Sequence, residues 1–223
     1  MESDKDNYND VTIPVYIINL PERKERLESI LHSFNGHDEF EINVIPAIKC
    51  NRGAEGLWKT FISIIEKAEK SDDDVIIICE DDHVFTKEYD KNTFISEVIA
   101  ASEQGCQMLL GGIGYFSNAV PISEHRLWID FSWCTQFVVL FRNSFRTILD
   151  SKFGEKDVTD EFLSLLLTNK MVLYPFISIQ KEFGYSDVTY SNNTKGRNEK
   201  IFLETETRIR EIMNKYNQYC LNK

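Results

Sequence analysis

The sequence predicts a single α/β domain with a mixed, mostly parallel central sheet flanked by helices. Two apolar runs and the segments between them carry this expectation. Val15-Tyr16-Ile17-Ile18-Asn19-Leu20 and Val75-Ile76-Ile77-Ile78-Cys79 are short, β-branched and almost continuous. Strands buried on both faces read this way, and such strands belong to sheets covered by helices. Between them, Leu27, Ile30, Leu31 and Phe34 recur at helical spacing in residues 22–34. Leu57, Phe61, Ile64, Ile65 and Ala68 do so in residues 54–70. Alternating strands and helices build parallel sheets through right-handed crossovers.

The other elements follow in order. Residues 1–11 are polar and read as a flexible tail, and residues 12–223 form the domain. Pro21 suits a first helical turn, and Asn35-Gly36 ends that helix. Residues 41–46 alternate and predict a strand. Ser71-Asp72-Asp73-Asp74 stops the second helix, and Glu80-Asp81-Asp82 closes the strongest strand. Helices are expected over 90–102, 144–149, 159–168 and 202–219, and strands over 107–110, 136–141 and 171–174. Residues 186–200 read as a polar, mobile loop. This less regular second half is what makes the expected sheet mixed.

The 223 residues, 42% of them hydrophobic, suit one buried core. The formal charge of -11 opposes non-specific binding to nucleic acid. Five cysteines are widely spaced with no C-x-x-C pair, so neither a disulfide framework nor a zinc site is expected, and a cytoplasmic location fits. No apolar run reaches the ~20 residues of a membrane span, and the N-terminus lacks the apolar centre of a signal peptide.

Ligands of such sheets bind beyond the carboxyl ends of the strands. Asn19-Leu20-Pro21 and Glu80-Asp81-Asp82 both fall there. Three adjacent carboxylates repel one another, and at a strand end they lose hydration, so a cation or donors must neutralise them. A hard divalent ion, Mn²⁺ or Mg²⁺, suits oxygen ligands and would bridge a diphosphate. Glu80 and Asp82 point the same way from an extended chain, and Asp82 is the favoured ligand. A solvated acidic turn is the alternative, because Asp72-Asp73-Asp74 is equally acidic and reads only as a helix stop. Arg23 and Arg26 share a face on a helix that follows a strand, a place where anions are held. Salt bridges to Glu22 and Glu25 on a solvated face are the alternative there.

Weaker candidates surround these. His83 either ligates the metal or starts a strand. Gly111-Gly112-Ile113-Gly114 lets a backbone approach a ligand but lacks the dinucleotide spacing. Trp128, Phe131 and Trp133 form either an acceptor-sugar platform or core. Lys195 and Arg197 belong either to a lid or to a solvated loop.

The segment from Val15 to Leu20, followed by Arg23 and Arg26, resembles the opening strand of glycosyltransferase family 25. These are lipopolysaccharide-type sugar transferases, related also to collagen galactosyltransferases. Residues 75–85 are similar to the family's acidic motif, Val158-Thr159-Asp160 to its aspartate before a helix, and residues 175–187 to its closing segment. Ala54-Glu55-Gly56-Leu57 departs from the family's glycine-led helix signature.

The resemblance implies a GT-A-like, Rossmann-related fold and an inverting transfer in which one base takes the acceptor hydroxyl's proton. Asp160 is the first candidate base; Asp187 is the second, or a further metal ligand. Asn19, Leu20, Arg23 and Arg26, with Glu80 and Asp81, would line the nucleotide and phosphate pocket, and Glu80 and Asp82 would hold the metal. The expected activity is sugar transfer from a UDP-sugar to a glycan or lipid-linked acceptor, with any membrane association peripheral. The rivals are a metal-dependent nucleotidyltransferase or phosphohydrolase, and a non-catalytic nucleotide-sugar-binding module.

Overall fold

The computed structural model describes residue 8, residues 10–184 and residues 196–221. Asp187, Ser186 and Lys195 lie outside the described residues. The first half runs β1 (Ile13–Asn19), α1 (Lys24–Ser33), β2 (Phe40–Pro46), α2 (Gly53–Ser71), β3 (Val75–Glu80), β4 (His83–Phe85) and α3 (Lys91–Glu103). Short strands β5 (Met108–Leu110), β6 (Ala119–Pro121) and β7 (Arg126–Ile129) come next, then β8 (Phe137–Phe141) and α4 (Arg142–Leu149). The chain continues through α5 (Thr159–Leu166), β9 (Lys170–Leu173), β10 (Ser178–Gln180) and α6 (Arg197–Tyr216).

Eight strands form one sheet in the order β2-β1-β3-β8-β5-β9-β7-β6. β1 is parallel to β2 and β3, and β5 is parallel to β9. β8 runs antiparallel to β3 and β5, and β7 antiparallel to β9 and β6. Six of the eight strands therefore point one way, and only β7 and β8 oppose them. β4 and β10 pair antiparallel in a separate small sheet.

Side chains alternate across each strand, so β1 and β3 feed two apolar layers. Tyr16, Ile18, Ile76 and Ile78 pack with Phe61 and Ile65 of α2 on one face. Val15, Ile17, Ile77 and Cys79 pack with Ile30 of α1 and Phe94 of α3 on the other. Each fully buried isoleucine contributes about 1.5–3 kcal/mol, which is why the two continuous runs end up central. The mixed α/β sheet flanked by helices is as the sequence predicts.

Three differences bear on the site. α1 begins at Lys24, two residues later than expected, because residues 20–23 close a turn in which the Arg23 N–H donates to the Leu20 carbonyl (2.8 Å). Pro21 belongs to that turn. α6 begins at Arg197, inside the expected loop, because the Glu182 carboxylate accepts from the N–H groups of Gly196 (2.7 Å) and Asn198 (2.8 Å). β6, β7 and β10 went unpredicted, being three- or four-residue strands too short to show a period, while β4 starts at His83, one of the two roles expected of that residue. The five cysteines are unpaired, and among the described residues no helix is long and apolar enough to cross a membrane.

Candidate active site

Parallel β1 and β3 pair Ile18 with Glu80, so the residues just beyond them converge at one edge of the sheet. Asn19 Nδ2 donates to Asp81 Oδ2 (2.9 Å), and Arg26 Nη1 donates to Asp81 Oδ1 (2.9 Å). Both members of the Arg26–Asp81 ion pair are buried. The Arg26 guanidinium also lies 4.7 Å from the ring centre of Phe183. Arg26 and Asp81 both line the cavity that opens here. They neutralise each other within the wall, and Asn19 lies buried behind it.

Glu80 and Asp82 are treated differently. Glu80 Oε1 accepts one hydrogen bond, from the Thr135 hydroxyl (2.7 Å). Burial, then the Asp82 charge, pushes the Glu80 carboxyl up to about 8, against the opposing Thr135 bond. Burial, then the Asp81 charge, pushes Asp82 up to about 7. Asp82 Oδ1 is buried and has no hydrogen-bond partner. These two carboxyls are short of positive charge, which is how an acidic pair awaiting a cation behaves.

Asp160 opens α5 on the same cavity. Its Oδ2 accepts from the Cys134 N–H (2.9 Å) and its Oδ1 from the Glu161 N–H (2.9 Å). Burial raises its carboxyl above the ordinary aspartate value. Cys134 is in the left-handed region at φ 78°, a conformation costing a non-glycine residue about 1–3 kcal/mol. That twist delivers consecutive donors to two acids: the Cys134 N–H to Asp160 and the Thr135 hydroxyl to Glu80. The loop before α5 is tied to α2, where Arg52 Nη1 and Nη2 donate to the carbonyls of Asp157 (2.5 Å) and Gly154 (2.9 Å). Trp58 of α2 stacks on Phe153 at 4.9 Å.

Together these groups enclose a cavity of about 520 Å³. Of the predicted residues, Leu20, Arg23, Arg26, Glu80, Asp81, Asp82 and Asp160 line it. Lys49, Thr135, Gln180, Glu182 and Asn198 line it as well. Lys49 is ion-paired to Glu22 (2.5 Å), and both are more than half exposed, so water screens the pair. Thr135 and Asn198 carry no motif, and only proximity in space marks them.

The other candidates take structural roles. His83 is buried against Phe85 (4.4 Å) and Phe137 (4.9 Å), and its Nδ1 pairs with Ser178 Oγ (2.8 Å). Burial lowers its pKa to about 3, so it is a neutral packing residue and does not line the cavity. The glycines face protein rather than ligand. A Cβ on Gly112 would meet the Ser178 carbonyl at 2.1 Å, and one on Gly114 would meet Cys134 Sγ at 2.8 Å. Trp128 donates to the Thr168 carbonyl (3.1 Å) and Trp133 to Glu161 (3.1 Å), and neither lines the cavity.

No protein-family model matches the chain, and no curated protein sequence matches it. Solved structures do resemble it. A197 from STIV aligns at a TM-score of 0.49 with 13% identity, covering 77% of this chain and 86% of that one. A glycosyltransferase involved in glycosylation of the major capsid of PBCV-1 aligns at 0.39 with 11% identity, covering 61% of this chain and 63% of that one. Apo UDP-glucose pyrophosphorylase aligns at 0.43 with 9% identity, covering 90% and 81%. At such identities and scores no substrate or residue role transfers to this chain, and the family 25 likeness stays a reading of the sequence.

The donor set can be tested for a divalent ion on its own terms. Among the described residues, no group of three or more His, Cys, Asp or Glu converges to hold a metal unaided. Mg²⁺ and Mn²⁺ commonly need only one or two carboxylates, with substrate phosphates and water completing the shell. Asp82, with its buried unpartnered oxygen, and Glu80 beside it fit that requirement. Asp81 is already neutralised by Arg26 and held by Asn19, so it has less need of a cation.

Proposed function

We propose that this protein transfers a sugar from a nucleoside-diphosphate sugar, a UDP-sugar first, to a hydroxyl of a glycan or lipid-linked acceptor. The unpartnered buried oxygen of Asp82 beside Glu80, at the carboxyl end of β3, is the observation that carries this reading. Two buried carboxyls held above their ordinary range call for a cation, and a diphosphate is the anion a cation there would take. Arg23 and Lys49 line the same cavity, and the N-terminal turns of α1 and α2 carry no side-chain cap. The cavity's size suits one nucleotide sugar.

Bound at Glu80 and Asp82, Mn²⁺ or Mg²⁺ would supply positive charge to the departing diphosphate. The chain's own groups do the rest. Asp160, oriented by two N–H donors and raised by burial, accepts the proton of the acceptor hydroxyl. Thr135 holds Glu80 in place, and the Arg26–Asp81 pair keeps the wall between β1 and β3 rigid and neutral.

Isotope-labelled UDP-sugar incubated with the protein and Mn²⁺ tests the reaction class. Transfer or slow hydrolysis that releases UDP supports glycosyl transfer. Release of UMP identifies a phosphohydrolase instead, and formation of UTP when pyrophosphate is supplied identifies a nucleotidyltransferase. Tight binding of UDP-sugar with no turnover in any acceptor mixture identifies a non-catalytic module.

A further inference from the structure

We infer that Gln180, Glu182 and Asn198 form the wall that recognises the hydroxyls of the transferred sugar. This rests on reading the cavity as a nucleotide-sugar site.

The wall is built next to the acidic pair. Gln180 ends β10 opposite His83 of β4, and the Lys181 N–H donates to the Asp82 carbonyl (2.7 Å). Whatever hangs from a diphosphate held at Asp82 must therefore pass close to Gln180. On the other side the wall is closed by the first turn of α6. Asn198 lies there, 5% exposed and lining the cavity. Its Nδ2 makes only a marginal 3.5 Å contact to Gln180 Oε1, and its Oδ1 has no partner. A buried amide left in this state is destabilising unless something satisfies it.

Charge decides what that something is. The N-terminus of a 20-residue helix would ordinarily attract phosphate. Here Glu182 already occupies it, with one carboxylate oxygen on the Gly196 N–H and the other on the Asn198 N–H. A phosphate brought to this wall would meet the Glu182 charge. A neutral hydroxyl meets no such penalty. It donates to Asn198 Oδ1 or a Glu182 oxygen and accepts from an amide N–H, so it satisfies either face of Asn198 and Gln180. A polyhydroxyl ring is the ligand that offers several such groups at once. The diphosphate is then left to the acidic pair and its cation, with Arg23 and Lys49 lining the same cavity.

Calorimetry with Mn²⁺ present, on the full chain and its Asn198→Ala and Gln180→Ala variants, tests the assignment. The probes are UDP alone and whichever of UDP-glucose, UDP-galactose and UDP-N-acetylglucosamine the parent binds most tightly. Asn198→Ala is expected to weaken the sugar nucleotide about tenfold while UDP affinity stays within about twofold, the size expected for one lost hydrogen bond to sugar. Retained UDP affinity also shows that the variant is folded. Gln180, being less buried, gives the same split with less risk to folding, and is decisive if Asn198→Ala does not fold. Equal losses for UDP and UDP-sugar, or no loss for either, overturn the sugar wall and leave the nucleotide site standing. A parent chain that binds none of these nucleotides overturns the proposed function, and the sugar wall falls with it.

Discussion

An acidic triplet stands at each end of β3: Asp72-Asp73-Asp74 before it and Glu80-Asp81-Asp82 after it. At the first, Asp72 adopts a left-handed φ of 64° and ends α2. Arg142 holds the turn, with Nη2 on the Asp72 carboxylate (2.7 Å), Nη1 on the Asp73 carbonyl (3.2 Å) and its N–H on the Asp74 carbonyl (2.8 Å). Asp72 and Asp74 are exposed, and water screens their charges. At the second triplet the chain enters a cavity closed by α1, α5, α6 and the loop before β8. Asp81 is neutralised by the protein, while Glu80 and Asp82 are not. The direction of β3 makes this difference. Parallel crossovers gather helix N-termini and loops at the carboxyl end, so carboxylates there are enclosed and those at the other end stay wet.

Four experiments probe the two ends of β3. The largest effect is expected outside both triplets. Asp160→Asn should lower turnover about 10²–10⁴-fold while leaving UDP affinity intact, as loss of a general base does. An equal loss from Asp73→Asn would sink the idea that only the carboxyl end of β3 does chemistry.

Next come the two arginines. Arg26→Ala leaves Asp81 buried without its cation and should cost about 3–5 kcal/mol in urea unfolding. Arg142→Ala removes a partly exposed pair and should cost far less, about 1 kcal/mol for the ion pair. Equal costs would mean that the burial contrast carries no energetic weight.

The third test is pH. Glu80 and Asp82, raised to about 8 and about 7, hold protons in the folded chain that the unfolded chain has released. Their contribution to stability is full at acid pH, below their unfolded values, and is lost as pH rises through 7 and 8. His83, lowered to about 3, acts in the opposite sense, and its effect is complete by about pH 6.5. Between pH 6.5 and 8, thermal stability without metal should therefore decline, and Mn²⁺ should raise Tm more at pH 8 than at pH 6.5. In Asp82→Asn both the decline and the Mn²⁺ effect should shrink. A Mn²⁺ shift that is the same at both pH values, or unchanged in Asp82→Asn, would detach the metal from this pair.

The smallest effect belongs to the first triplet. Asp74→Ala should change stability by no more than about 0.5 kcal/mol and leave UDP binding untouched, as for most exposed substitutions. A measurable loss of UDP affinity would show that the two ends of β3 communicate.

Much of the scaffold was legible because it is local. The apolar runs of β1 and β3 and the stripe of α2 announce burial and period residue by residue, and they place Asn19, Leu20, Glu80, Asp81 and Asp82 at strand ends without reference to the rest of the chain. Asp160, near the head of α5, was singled out by the resemblance to glycosyltransferase family 25. Local reasoning could not show that Arg26 pairs with Asp81, 55 residues away. It passed over Thr135 and Asn198 because a lone polar residue beside a strand or in a polar stretch carries no period. Its place after the triplet leaves His83 open between metal ligand and strand start, and it starts β4 within the aromatic core.

The residue pattern alone puts the acids of residues 80–82 at the end of a buried strand. Folding adds that Asp81 is satisfied by Asn19 and Arg26, that Glu80 and Asp82 remain short of positive charge, and that Asp160 and Asn198 face the same cavity. The division has a physical basis. Strand and helix periods arise between near neighbours on the chain, whereas the charge balance of a buried carboxylate depends on donors that long-range packing brings to it.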